Sequence, residues 1–204
     1  MDNRAAASVV SPNLVLDQWN TPEWLAAWLV DWAQLLPTDV VLEPCAGHGA
    51  IVRAVPESIP VVACEIDNRM LPFLQEAHPK IAIFMGDFFD KARQEAIASF
   101  KPTVAVENPA LDSKPRRGID SEFVRDSLAL CGRVVALIRS DIFYGKIRRQ
   151  RVWNNAVLTR VCFIEDGMTN FVVIDIRKKR FQDEVSDGVI ARWVNLEELR
   201  EVYK

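Results

Sequence analysis

Histidine is almost missing from this chain: His48 and His78 are the only two among 204 residues. The four cysteines, Cys45, Cys64, Cys131 and Cys162, stand far apart with no Cys-x-x-Cys pair. Zinc-ligand spacing is therefore absent, no metal is expected, and the cysteines read as buried thiols. No run of about 18 apolar residues occurs, and Met1 to Ser11 lacks the basic start and apolar stretch of an export signal. The expectation is a cytoplasmic protein with no membrane span. There is no Gly-Lys-Ser/Thr, which excludes a phosphate-cradling P-loop, and Val52 occupies the third glycine position of a dinucleotide fingerprint.

Half of the residues are apolar, enough for a substantial core, and no repeat or low-complexity tract divides the chain. One domain over residues 17–180 is expected, with a tail at 1–16 and an extension at 181–204 packed on the same domain. Net charge is only −3, which argues against a dedicated nucleic-acid binder, but it is unevenly spread. Residues 1–113 carry 7 Lys/Arg against 15 Asp/Glu, residues 114–180 carry 15 against 7, and the remainder 3 against 6. The middle segment is the candidate polyanion surface, through Lys114, Arg116, Arg117, Arg139, Lys146, Arg148, Arg149 and Arg151. A solvated basic face is the competing reading.

Short apolar runs at Asp39 to Leu42, Val61 to Cys64, Ile81 to Met85, Thr103 to Val106 and Arg133 to Ile138 predict parallel strands covered on both faces. Helix-compatible stretches lie between them, at Gly49 to Ala54, Asn68 to Ala77, Lys91 to Ser99 and Ile119 to Leu130. Thr21-Pro22-Glu23 predicts a helix start with Thr21 as cap, running through Trp24, Trp28 and Trp32; these face the core, and any exposed remainder is a candidate homodimer surface. Ile142 to Trp153 reads as a basic helix, Val157 to Ile164 and Phe171 to Ile176 as an antiparallel hairpin turning at Gly167, and Asn195 to Val202 as a capped terminal helix. The fold class predicted is α/β: a single Rossmann-like sheet of seven strands, mostly parallel, ending in an antiparallel hairpin.

Chemistry gathers at the strand ends. Glu43-Pro44-Cys45-Ala46-Gly47-His48-Gly49 places an acid before a glycine turn into a helix, and Glu65-Ile66 follows the second strand, 18 residues beyond Gly47. Asp87 and Phe88 close the third, offering a carboxylate for an adenine amino group and a ring to cover the base. Together they predict a nucleoside site at the carboxyl edge of the sheet. Here the chain resembles the class I S-adenosylmethionine-dependent methyltransferases, especially the compact phage-type DNA adenine-N6 enzymes, over roughly residues 17 to 176. Val41 to Ala50 looks like their first motif, and Trp19 to Leu25 is similar to the Thr-Pro segment before it. The resemblance implies S-adenosylmethionine as cofactor. Asn20, Thr21 and Pro22 would meet its methionine end, Glu43, Pro44, Cys45, Ala46, Gly47 and Gly49 its centre, Glu65 and Ile66 the ribose, and Asp87 with Phe88 the adenine.

Asn108-Pro109-Ala110-Leu111, after the fourth strand, would be the transfer motif, with Asn108 also touching the cofactor. The Asn108 side-chain carbonyl and the backbone carbonyl of Pro109 can both accept from one amine, leaving its lone pair aimed at an electrophilic methyl. The family usually has a second Pro and an aromatic where this chain has Ala110 and Leu111; Phe143, Tyr144 and Trp153 are candidates to replace the missing ring. The implied acceptor is adenine N6 in DNA or RNA. Open alternatives are another amine, such as guanine N2, a protein glutamine or a small molecule, and a binding protein that kept the fold without the chemistry.

Overall fold

Four runs of buried, mostly aliphatic residues and one half-buried edge run, Ile81–Met85, become five parallel strands, because a strand covered on both faces has no use for polar alternation. The computed structural model describes residues 20–110, 118–165, 171–179 and 189–203. In chain order the elements are α1 (Glu23–Ala33), β1 (Val41–Glu43), α2 (Ala50–Ala54), β2 (Val61–Glu65), α3 (Leu71–Ala77), β3 (Ile81–Met85), α4 (Lys91–Ala98), β4 (Val104–Glu107), α5 (Ile119–Cys131) and β5 (Arg133–Arg139). A 3₁₀ turn at Ser140–Phe143, the short α6 (Lys146–Arg148) and a π turn at Arg149–Trp153 follow. The chain then forms β6 (Ala156–Glu165), β7 (Phe171–Lys178), β8 (Ile190–Asn195) and α7 (Leu196–Val202).

The strands form one sheet in the order β3-β2-β1-β4-β5-β7-β6-β8. Strands β1 to β5 are mutually parallel, and β7 runs antiparallel between β5 and β6. The chain builds outward from β1 to β3, then returns to β4 on the other side of β1. The gap between the carboxyl ends of β1 and β4 is thus the topological switch point, where open α/β sheets bind ligands. Helices cover both faces and produce two apolar layers. One holds Trp28, Leu29 and Trp32 of α1 with Ile51, Val52 and Leu74; the other holds Phe123, Val124 and Leu128 of α5 with Phe88, Ile138 and Ile174.

Three expectations change. An eighth strand, β8, pairs parallel with β6, so residues 190–195 extend the sheet itself. Its Ile-Ala-Arg-Trp-Val-Asn sequence is short and lies at an edge, where the apolar signal is weak. The basic helix expected over Ile142 to Trp153 is broken at Gly145, whose φ of 89° lies in the left-handed region that glycine tolerates. Thr21 is not the cap of α1: Pro22 holds that position and its carbonyl accepts from the Leu25 and Ala26 amides. Asn195 does cap α7, its Oδ1 accepting from the Glu197 and Glu198 amides. The Gly167 turn, Trp19, the tail at 1–16 and residues 181–188 lie outside the described residues.

Candidate active site

The β1 strand delivers Glu43 to the sheet edge and hands the chain to a turn that only glycine accommodates well. Gly47 and Gly49 have φ of 52° and 81°, and a side chain at Gly49 would press on Leu74 and Ala77 at 3.1 and 3.2 Å. The turn is braced from the neighbouring strand. Glu65, 6% exposed, accepts from the Gly47 amide through Oε2 at 2.7 Å and from the Asp67 amide through Oε1 at 2.8 Å. In this structure the carboxylate expected at a ribose also fixes the glycine turn, with its remaining lone pairs left over for hydroxyl donors.

A cleft of about 270 Å³ opens beside the turn. Seven residues expected at the cofactor line it: Asn20, Thr21, Glu43, Cys45, Ala46, Gly47 and Asn108. Glu23, His48 and Arg53 join them. His48 belongs to the glycine turn already expected there, whereas Glu23 and Arg53 were missed because they read locally as a helix-start acid and a helix cation. Their mutual contacts give them away. Arg53 bonds Glu23 at 2.5 Å and the His48 carbonyl at 2.6 Å, and His48 Nδ1 meets Asn20 Oδ1 at 2.8 Å.

Asn108 enters from β4. Its Nδ2 donates to Thr21 Oγ1 at 3.0 Å, across 87 residues of sequence, which fixes the amide and leaves Oδ1 as its acceptor. The hydroxyl that looks like a helix cap in sequence therefore orients the Asn108 amide. Cys45 ties the two strand tips together: its thiol lies 3.7 Å from Glu43 Oε1 and 3.6 Å from the Asn108 carbonyl. Burial and the Glu43 charge push that thiol well above its ordinary value, so it acts as a neutral donor.

Two carboxyls sit beneath this floor. Burial, and then the charge of Glu107, raises Glu43 well above the usual carboxylate range. Glu107 is fully buried, which pushes it up to about 8 against the opposing pull of the Ser127 hydroxyl, which donates to its Oε2 at 2.7 Å. Glu43 Oε2 is buried with no hydrogen-bond partner at the wall of the cleft. An unsatisfied acid in that position suits a ligand bearing ammonium or hydroxyl donors.

The residues expected at an adenosine are spread more widely. Asp87 is exposed at the end of β3, its Oδ1 accepting from the Phe89 amide, and Ile66 is half-buried after β2. Phe88 is only 2% exposed, stacked on Phe123 with ring centroids 5.5 Å apart. The ring expected to cover an adenine is thus packed into the α5 layer, because Phe123 and Phe89 bury its surface first. Pro44 and Pro109 are buried behind the tips, Ala110 packs against the second apolar layer, and Pro22 is exposed at the start of α1. Leu111, Lys114, Arg116 and Arg117 lie outside the described residues.

The basic candidates divide sharply. Arg139 pairs with Asp141, Arg148 with Asp141 and Asp120, and Arg151 with Glu122 and the Gly118 carbonyl. Lys146 and Arg149 are exposed and make no ion pair among the described residues.

No family model matches the chain, and no curated protein matches it in sequence. Solved structures do match. A Listeria monocytogenes protein assigned to the class I S-adenosylmethionine-dependent methyltransferases aligns with a TM-score of 0.66 and 12% identity, over 88% of this chain and 66% of that one. The fold is that of the class I methyltransferases. The M protein of the type I restriction enzyme EcoKI aligns with a TM-score of 0.66 and 13% identity over 86% of this chain, and this chain spans 48% of it. A Pyrococcus horikoshii protein provisionally described as an RNA methyltransferase aligns with a TM-score of 0.60 and 19% identity, over 81% and 88% of the two chains. In this methyltransferase fold the cleft of the present chain falls at the β1/β4 switch point.

Proposed function

We propose that the chain transfers a methyl group from S-adenosylmethionine to an exocyclic amine, with adenine N6 of DNA or RNA as the acceptor. The observation that carries this is the position of Asn108: its side chain lines the same cleft as the glycine turn, with its nitrogen held by Thr21 and its oxygen left to accept. The EcoKI M protein and the Pyrococcus horikoshii neighbour support a nucleic-acid acceptor.

The residues fit the cofactor. Asn20 and Thr21 line the cleft for its methionine end, Glu43 with its buried, unpartnered Oε2 and the glycine turn line it for the centre, and Glu65 and Asp87 stand at the next two strand ends for a nucleoside. When bound, S-adenosylmethionine supplies an electrophilic methyl group. An aromatic amine is a weak nucleophile because its lone pair is shared with the ring. Asn108 Oδ1 and the Pro109 carbonyl, accepting from its two N–H groups, favour the pyramidal geometry that frees that pair. Neither Glu43 nor Glu107 is required as a base, and the surplus proton leaves to water.

Asn108→Ala is the direct test. Transfer of labelled methyl to DNA or RNA should fall at least about 100-fold, as for loss of one polar group aimed at a transition state, while calorimetry still shows cofactor binding. Undiminished turnover in this variant rejects the assignment.

A further inference from the structure

A second cleft, of about 550 Å³, is walled by Phe143, Tyr144, Gly145, Lys146, Arg149 and Trp153 and shares no residue with the first. Its volume falls within the roughly 300–1,000 Å³ usual for ligand sites. Its wall is planar. Phe143 and Trp153 stack with centroids 5.4 Å apart and planes 14° from parallel, and both are half-buried, so ring surface remains towards the cleft. The wall is also fixed: Trp153 Nε1 donates to the Ile142 carbonyl at 2.8 Å, and Ile142 and Val152 are anchored in the core at 0% exposure. Tyr144, 71% exposed, stands at the mouth.

Charge completes the site. The paired cations of this segment, Arg148 and Arg151, are turned inward to Asp120, Asp141 and Glu122, while Lys146 and Arg149 line the cleft and make no ion pair among the described residues. Rigid aromatic surface beside two free cations is the arrangement that takes a base on its face and a phosphate at its edge. Its location is informative too. Glu107 of β4 lies opposite Ala136 of the parallel β5, so the segment after Arg139 emerges at the same sheet edge as Asn108.

We propose that this cleft holds a nucleotide of single-stranded nucleic acid, its base against Phe143 and Trp153 and its phosphate between Lys146 and Arg149. A base in a duplex has both faces covered by its neighbours, so an aromatic wall selects a strand with free faces. The proposal deepens the preceding reading by naming the substrate class, and it rests on that reading for the place of the target amine.

The test is fluorescence anisotropy with a short labelled single-stranded oligonucleotide, an abasic strand of equal length and the corresponding duplex. Wild type should bind the base-bearing strand about 10-fold tighter than the abasic one, and tighter than the duplex. Lys146→Glu/Arg149→Glu, at exposed positions, should weaken strand binding about 10-fold or more and reduce the salt slope by about two. Phe143→Leu should erase the preference for bases over the abasic strand, with circular dichroism and cofactor affinity unchanged. Wild-type binding in both variants, or no preference for the base-bearing strand, overturns the cleft. Labelled-methyl transfer separates the two readings. Nucleic-acid transfer with an unchanged KM in the charge variant removes the cleft and leaves the chemistry; variant-sensitive strand binding without transfer to any nucleic acid does the reverse.

Discussion

Thr21 shows how one side chain can carry two meanings. In sequence, Thr-Pro-Glu is a helix start; in space the Thr21 hydroxyl accepts from Asn108 Nδ2. Thr21→Val keeps the shape and removes the acceptor. Stability should fall by only about 1 kcal/mol, typical of one hydrogen bond, while methyl transfer drops about 10-fold because the Asn108 amide can then rotate; a stability loss without loss of transfer would mean the contact is merely structural. Glu107 supplies a pH prediction. Its folded pKa is raised from 4.5 to about 8 by burial, so between those values the folded state holds a proton that the unfolded state has released. Its contribution is therefore fully present below pH 4.5 and is lost as pH rises through about 8. Glu107→Gln should flatten the decline, read from denaturant midpoints across that window; an unchanged slope would place the titration elsewhere.

Among the elements, the antiparallel half of the sheet is pinned by one carboxylate. Asp175 of β7, 3% exposed, accepts from Arg133 of β5 at 2.9 and 3.1 Å and from Arg160 of β6 at 2.5 and 2.8 Å, and Arg133 also reaches the Ala33 carbonyl at the end of α1. Removing one member of such a cluster leaves unbalanced charge. Asp175→Asn should cost about 3 kcal/mol, seen as a lower thermal midpoint with the cleft between β1 and β4 undisturbed. The parallel strands were legible because their continuous aliphatic runs match double burial. The β8 edge and the break at Gly145 were not: the first depends on a pairing partner, and the second on a backbone conformation that a helix-compatible composition conceals.

For the molecule as a whole, the sheet order decides where a ligand acts. Residues from the start of α1, the β1 turn and the β4 tip meet at the switch point, so binding there joins segments as distant as Asn20 and Asn108. Cofactor that binds only the folded state should raise the unfolding free energy by about 2.7 kcal/mol at 100 times its Kd. A thermal-shift titration with S-adenosylmethionine and its demethylated product measures this, and a midpoint unmoved by either would remove the cofactor site. No helix among the described residues is long and apolar enough to cross a membrane.

By itself, the order of residues determined the β-α alternation, the acid and glycine pattern at the strand ends and the Asn-Pro turn, since each depends on neighbours within a few positions. Tertiary structure alone decided which of these become a site. It placed Thr21 beside Asn108, braced Gly47 with Glu65, stacked Phe88 on Phe123 instead of leaving its ring free, and sorted the basic segment into paired arginines and, among the described residues, the unpaired Lys146 and Arg149. The physical reason is distance along the chain: hydrogen bonds, ring stacking and ion pairing act over a few ångströms, and only the folded sheet brings residues tens of positions apart within that range.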